Sequence, residues 1–439
     1  MKAKKSSKVM LFALVFLLAV GLSPGFSSGT GEKAKGPVTL TIWTGYSERI
    51  PVYEAAAADY TKENPNVKFE ISGFQLREIE SKYSIALPAG TAPDLFVTSH
   101  LLTQKFAEDG WLDPIPDNLM GWLKENFDQV YRDSFTNKGK VYGLSDVHGF
   151  QILFHNLDHY KEVGLAAPPS TMDELMSHAR KLVKFDAQKN MVRSGVSLRI
   201  SGGGSGVAEK FNIFLFANGG SVMEPAGPGK WKANFANEAG YKALNFHLEA
   251  LHKYKVDSYE VKHDEEAFLL GNTSQFNRET YVIGTAVKRA PQMNYGIAQA
   301  VKGTQRATNL NLDGWIVASS GKNKDTAWDF AKYLNKDKYL VMMMRDVGWI
   351  CTRSGVDYSE IYAKEPHFKQ ALDRPKDMKL IMHPPAVSNN EVFTKFASRL
   401  VAAYPDASML DNRDKIMKFL KESSEEVNQI LKAGNEYGE

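Results

Sequence analysis

At 439 residues, 43% apolar and 24% charged, the chain is globular in composition and too long for one ordinary hydrophobic core, so two lobes or domains are expected. Its 54 basic and 51 acidic residues leave a net charge of +3, with no long run of Lys and Arg in the body, and this excludes an electrostatic footprint for nucleic acid. A single cysteine, Cys351, rules out an intrachain disulfide and a cysteine-based metal cage; it reads as a small buried hydrophobe.

Taken in order, the chain starts with a processing signal. Lys2, Lys4, Lys5 and Lys8 precede an apolar run over residues 9–20, and Ser23, Pro24, Gly25, Phe26 and Ser27 then supply a break and small residues suited to cleavage. Residues 1–27 are expected to be a signal peptide, with 28–37 a flexible Gly- and Lys-rich segment. No cysteine follows the apolar run where a lipid anchor needs one, so a soluble extracytoplasmic or periplasmic product is expected, not a lipoprotein.

The first periodic segment is VTLTIWTGYSE at residues 38–48. Val38, Leu40 and Ile42 alternate with threonines, a period of two that predicts a half-buried strand, and Trp43 and Tyr46 fall at its carboxyl end, where open α/β sheets bind ligands. Residues 52–63 read as a helix that tolerates Pro51 in its first turn and stops at Asn64-Pro65; Val67, Phe69 and Ile71 form a second strand. A helix over 78–89, a short apolar strand at Leu95, Phe96 and Val97, and a helix capped by Ser99 and ending at Gly110 continue the alternation. So regular a pattern predicts a largely parallel, doubly wound sheet. Residues 140–144 lead into a strand and 150–156 form another apolar run, with a crossover expected at 145–149.

Other signals have plain explanations. SGGGSG at 201–206 lacks both the Gly-Lys-Ser/Thr ending of a phosphate loop and the helix-opening spacing of a dinucleotide fingerprint, so it reads as a loop. His155 and His159 have no zincin glutamate, no G-x-S-x-G elbow is present, and Met342, Met343 and Met344 read as helix packing.

The ordered motifs resemble a family, the bacterial extracellular solute-binding proteins of ABC importers, in the sugar-binding cluster that includes the maltose-binding protein. TLTIWTGY is similar to its first strand with a trailing aromatic, ALPAGTAPDLFV to its Pro-Asp approach to the third strand, and FAEDGWLDPI to its Phe-Gly-Leu segment. KVYGLSD, FHNLDHYKEVGLAAPPSTMDELMSHARKL, KFNIFLFANGGSV, EEAFLLGNTSQFNRETYV, MNYGIAQAVKG and LNLDGWIVASSGKNKDTAWDFAKYL continue the likeness over roughly residues 38 to 435. Ser145 and His155 depart from the usual proline and tyrosine, and a proline is missing after MNYGIAQ.

The resemblance implies an α/β periplasmic binding protein fold of two lobes, residues 38–146 with 314–348 and 147–313 with 349–439, closing on a carbohydrate near crossings at Asp146, 312–314 and Gly348. It implies a monomer that delivers ligand to a membrane permease, with no cofactor and no catalysis. A pyranose pairs a C–H face with hydroxyl edges, so its site needs flat rings beside planar polar groups. Stacking is assigned to Trp43, Tyr46, Tyr281, Trp315 and Trp349, and hydroxyl recognition to Glu48, Asp146, His148, Arg278, Glu279, Asp313 and Arg353. Two alternatives stand beside it: an organic anion or phosphate ester clamped by Arg278, Lys288, Arg289 and Arg353, and a secreted glycoside hydrolase using Asp146 and Asp313. For the leader, N-terminal sequencing of protein exported by its native cell should begin near Ser28; soluble protein starting at Met1 would refute export.

Overall fold

Leu40, Ile42 and Thr44 are fully buried in strand β1 (Val38–Thr44), while Thr39, Thr41 and Trp43 face the other way, so the period of two in the sequence is the inside–outside alternation of a real strand. The computed structural model describes residues 36–261 and 264–439; the expected leader and residues 28–35 lie outside the described residues. The helix Ile50–Glu63 carries Pro51 in its first turn, where no backbone donor is needed, and ends at Asn64. β2 (Val67–Gly73) then pairs parallel with β1 over its whole length. After the helix Leu76–Ala86, β3 (Leu95–Ser99) pairs parallel with the other side of β1, and the Ser99 hydroxyl accepts from Leu102 N to cap the helix His100–Glu108.

β4 (Leu112–Asp113) is followed by β5 (Leu144–Asn156), in which every residue is buried. The sequence reading broke this stretch into two runs around a crossover. In the structure the chain continues without leaving the extended conformation, because residues 144–149 find an antiparallel partner in β8 (Arg306–Ala318) and 151–156 find others in β6 (Gln275–Glu279) and β7 (Tyr295–Ala298). Thirteen extended residues span roughly 40 Å, enough to run from one lobe into the other. β8 (Arg306–Ala318) is the second long crossing: residues 313–317 pair antiparallel with β3, and 306–310 pair parallel with β10 (Met378–Met382). β9 (Ile350–Cys351), a third connection, pairs with β5 at Val147 and His148.

The ten strands make one mixed sheet. Parallel pairing, expected for most of the sheet, is confined to β1–β2, β1–β3 and β8–β10. The crossing strands run antiparallel to each other and to most of their neighbours, which a reading of local alternation does not register.

Helices cover both ends of the sheet. The helix Gly206–Ala217 packs against Asn389–Ala403 and Glu238–Leu248 and buries every residue but Glu209, the polar Lys210 and Asn212 included. Gly219, at φ +85°, ends this segment as the double glycine predicts. Met343, Met344 and Cys351 are buried, as expected of packing residues. No helix among the described residues is long and apolar enough to cross a membrane.

Trp315 shows how the sheet and its helices fit. Its ring is fully buried, edge-on to Tyr53 of the helix Ile50–Glu63 at 4.7 Å between centroids. At Gly314 before it, a Cβ would lie 2.6 Å from Phe135 Cζ and 3.0 Å from the Leu144 carbonyl oxygen, so close packing favours glycine. Trp315→Ala should lower the unfolding free energy by about 3–5 kcal/mol, the loss of a core aromatic, as measured by denaturant titration without ligand. A loss below about 1 kcal/mol would contradict this placement.

Candidate ligand-binding cleft

A cavity of about 880 Å³ lies at the carboxyl ends of β1 and β3, beside the crossing strands. Tyr46, Glu48, Gln75, Arg77 and Glu80 reach it from the first lobe; Arg199, Glu209, Glu265, Arg278, Glu279 and Tyr281 reach it from the second. Gly149, Asn311, Asp313 and Trp349 form its floor on the crossing segments.

Beneath that floor sits Arg49, with no exposed surface. Its Nη2 donates to Asp313 Oδ2 at 2.8 Å, and Nη1 lies 3.5 Å from Asp146 Oδ2. The guanidinium also lies over the Tyr46 ring at 3.7 Å and the Trp349 ring at 4.5 Å. Tyr46 donates its hydroxyl hydrogen to Asp313 Oδ1 at 3.1 Å, so one carboxylate fixes both the cation and the aromatic above it. Burial pushes the Asp146 carboxyl up to about 6, against the pull of Arg49.

The second wall is equally braced. Tyr281 opens the helix Tyr281–Arg289 and stacks on Trp349 at 5.0 Å with 24° between ring planes. Its hydroxyl donates to Glu265 Oε2 at 2.6 Å and accepts from Arg278 Nε at 3.0 Å. Glu279 accepts from Gln151 Nε2 at 3.1 Å, and behind Gln151 the buried Lys210 donates to the Gln151 side-chain oxygen and to the Asn277 carbonyl. Burial lowers Lys210 to about 8. Arg278 and Arg199 share Asp264, at 3.6 and 3.2 Å.

Of the residues singled out in the sequence, Tyr46, Glu48, Arg278, Glu279, Tyr281, Asp313 and Trp349 line this one cavity. Five do not. Trp43 lies on the opposite face of β1, edge-on to Phe74 at 5.5 Å and under Lys82. Trp315 is in the core. Asp146 acts on Arg49 from below; His148 is buried between Tyr131 and Phe150; Arg353 pairs with Asp337.

The sequence profile of the bacterial extracellular solute-binding proteins matches residues 46–340. The chain belongs to that family. Among its relatives, the maltotriose-binding protein of Pyrococcus abyssi is 26% identical over 335 residues, covering 74% of this chain and 69% of the relative. The diacetylchitobiose-binding protein of Streptomyces coelicolor is 23% identical over 338 residues, covering 74% and 76%. In architecture, the solute-binding protein of a Thermotoga lettingae ABC transporter, solved with α-D-tagatose, superposes with a TM-score of 0.77 at 21% identity, over 90% of this chain and all of that one. The two-lobed fold is thus that of sugar-binding family members.

Sequence reasoning passed over Arg49, Gln151, Lys210 and Asp264. A signal for Arg49 was available: Asp146 and Asp313 fall within strands that are otherwise mostly apolar, and buried carboxylates require a buried cation. The others carry no periodic signature. Asp146 yields a test with a defined sign. Its carboxyl holds a proton to about pH 6 in the fold but releases it near 3.8 in water, so this group's contribution to stability falls as pH rises between those values. The full effect is on the order of 3 kcal/mol. Asp146→Asn should remove that slope from a plot of melting temperature against pH; an unchanged slope would place the titration elsewhere.

Proposed function

We propose that this protein is the extracytoplasmic receptor of an ABC importer and captures a neutral carbohydrate between its lobes. The observation that carries the reading is the cleft's combination of an aromatic platform, Tyr281 on Trp349, with cations that already have protein partners. Arg77 pairs with Glu80, Arg199 and Arg278 with Asp264, Arg289 with Glu265, and Lys288 with the Asp346 carbonyl. Such a wall offers many hydrogen-bond donors and acceptors without an unbalanced charge, which suits hydroxyls better than an anion. The ligands for which two relatives are named, maltotriose and diacetylchitobiose, support the same class.

In this reading the lobes are residues 38–146 with 314–348 and 147–313 with 349–439. They rotate about β5, β8 and the segment at Gly348, and the ligand stabilises closure because only the closed form touches it from both walls. The protein acts as a monomer, holds no cofactor, and hands its ligand to a permease. Catalysis is disfavoured by the same geometry: Asp146 and Asp313 both pair with Arg49, and Asp146 does not line the cavity, so neither is placed as the free acid–base pair of a hydrolase.

The test is titration by tryptophan fluorescence with malto-, chito- and arabino-oligosaccharides. Binding should be nearly independent of salt and should reduce the radius of gyration in small-angle scattering. Tyr281→Ala should weaken it by about 1–3 kcal/mol, roughly five- to 150-fold, with a smaller loss of stability than Trp315→Ala. Affinity that collapses with salt, for an organic anion in place of a sugar, would overturn the carbohydrate assignment.

A further inference from the structure

One wall residue of the main cavity, His100, also borders a second cavity of about 400 Å³, bounded by Gln129, Val130 and Asp133 from the first lobe and Met382 and His383 from the second. That volume lies within the ordinary range of about 300–1,000 Å³ for ligand pockets. His100 thus borders both chambers and His383 borders the second, where it feels the charge of Glu209, a residue of the main cavity. Gln129, Val130 and Asp133 are exposed, and the second chamber therefore reaches solvent at its far side.

The chemistry of the two imidazoles points to a hydroxyl-bearing occupant. His100 is 1% exposed and His383 2% exposed, and burial lowers both to about 4, so both are neutral at ordinary pH. His100 Nδ1 lies 3.2 Å from the Leu312 carbonyl, which can only accept; Nδ1 therefore carries the hydrogen, and Nε2 is a bare acceptor. Nε2 of His100 and both ring nitrogens of His383 have no hydrogen-bond partner in the protein. Three buried, unpaired nitrogens on two residues that border the second cavity are a strong demand for a polar group supplied from outside.

We propose that the crevice between the lobes continues past His100 and His383, and that the ligand is a linear oligosaccharide whose end passes between these imidazoles into the second cavity. This rests on the carbohydrate reading of the main cleft and adds the ligand's length and direction. Sugar hydroxyls donate to His100 Nε2 and exchange hydrogen bonds with His383, while the remaining units lie on the Tyr281–Trp349 platform.

The experiment compares affinities of the full chain for malto-, manno- and chito-oligosaccharides of increasing length, from the disaccharide upward, in the parent, in His383→Phe and in Val130→Trp. Val130 is 43% exposed at the rim of the second cavity, so a tryptophan there can plug the chamber without disturbing the core. In the parent, affinity should rise about ten-fold or more at the length that first reaches the second cavity. Both variants should lose that increment while binding the shortest ligand within about two-fold of the parent. Val130→Trp decides the matter alone if His383→Phe does not fold. Parent affinities that do not rise with length, a plugged variant that keeps the full rise, or a liganded crystal structure with only water in the second cavity would each overturn the inference while leaving the main-cleft reading intact. Failure of every sugar to bind would overturn both.

Discussion

One guanidinium holds the centre of this molecule. Arg49 follows β1, and its partners lie on three separate segments of the chain: Asp146 on β5, Asp313 on β8, and Trp349 just before β9. Taking three charges out of water carries a penalty of several kcal/mol per ion, which the attraction between them offsets only when the geometry is good. The 2.8 Å contact to Asp313, a second carboxylate at 3.5 Å and two aromatic faces supply that geometry. Removing Arg49 would leave two buried carboxylates facing each other, whereas removing one carboxylate would leave the cation with the other. The network is thus asymmetric, with the cation as its indispensable member.

This constraint fixes what the cleft can offer. Tyr46 is held by Asp313 and by the cation beneath it; Trp349 is held by the same cation and by Tyr281. Floor and platform therefore have little freedom left to lose when a ligand arrives, and preorganisation of this kind lowers the entropic penalty of binding. The second wall follows the same logic through the chain Lys210, Gln151, Glu279 and Arg278. Arg278 has Asp264 and Glu279 beside it and Arg289 has Glu265, so specificity there comes from the direction of hydrogen bonds more than from net charge.

The strands and helices of the first lobe were legible because their periods are unambiguous, and the ordered motifs carried the family. What the local pattern did not carry was side-chain direction at the strand ends. Trp43 follows Ile42, so alternation alone turns it toward Phe74 and away from the cleft. Asp313 and Trp315 stand two apart on β8 against the same helix-bearing face, the first at the cleft edge beside Arg49, the second one helical turn deeper beside Tyr53. A strand that enters the cleft at one residue is inside the core two residues later, and a sequence pattern does not mark where that boundary falls. Long-range pairings such as Lys210 with Gln151 are invisible for a different reason: they depend on which helix the fold lays against which strand.

The glycine-rich stretch at 201–206 completes this argument. Read as a loop, it had no evident reason for so many glycines. In the structure Gly204 adopts φ +68°, and a Cβ there would lie 2.8 Å from Arg77 Nε. Arg77 belongs to the first lobe, on the helix Leu76–Ala86, and pairs with Glu80 at the cleft rim. Gly204 thus lets the backbone come up against the Arg77 side chain, and Gly206 does the same against Arg199, whose Nη2 would lie 2.6 Å from a Cβ there. Residues distant in sequence are therefore brought together at two levels: a buried ionic network beneath the cleft floor, and at the rim a glycine that leaves room for Arg77.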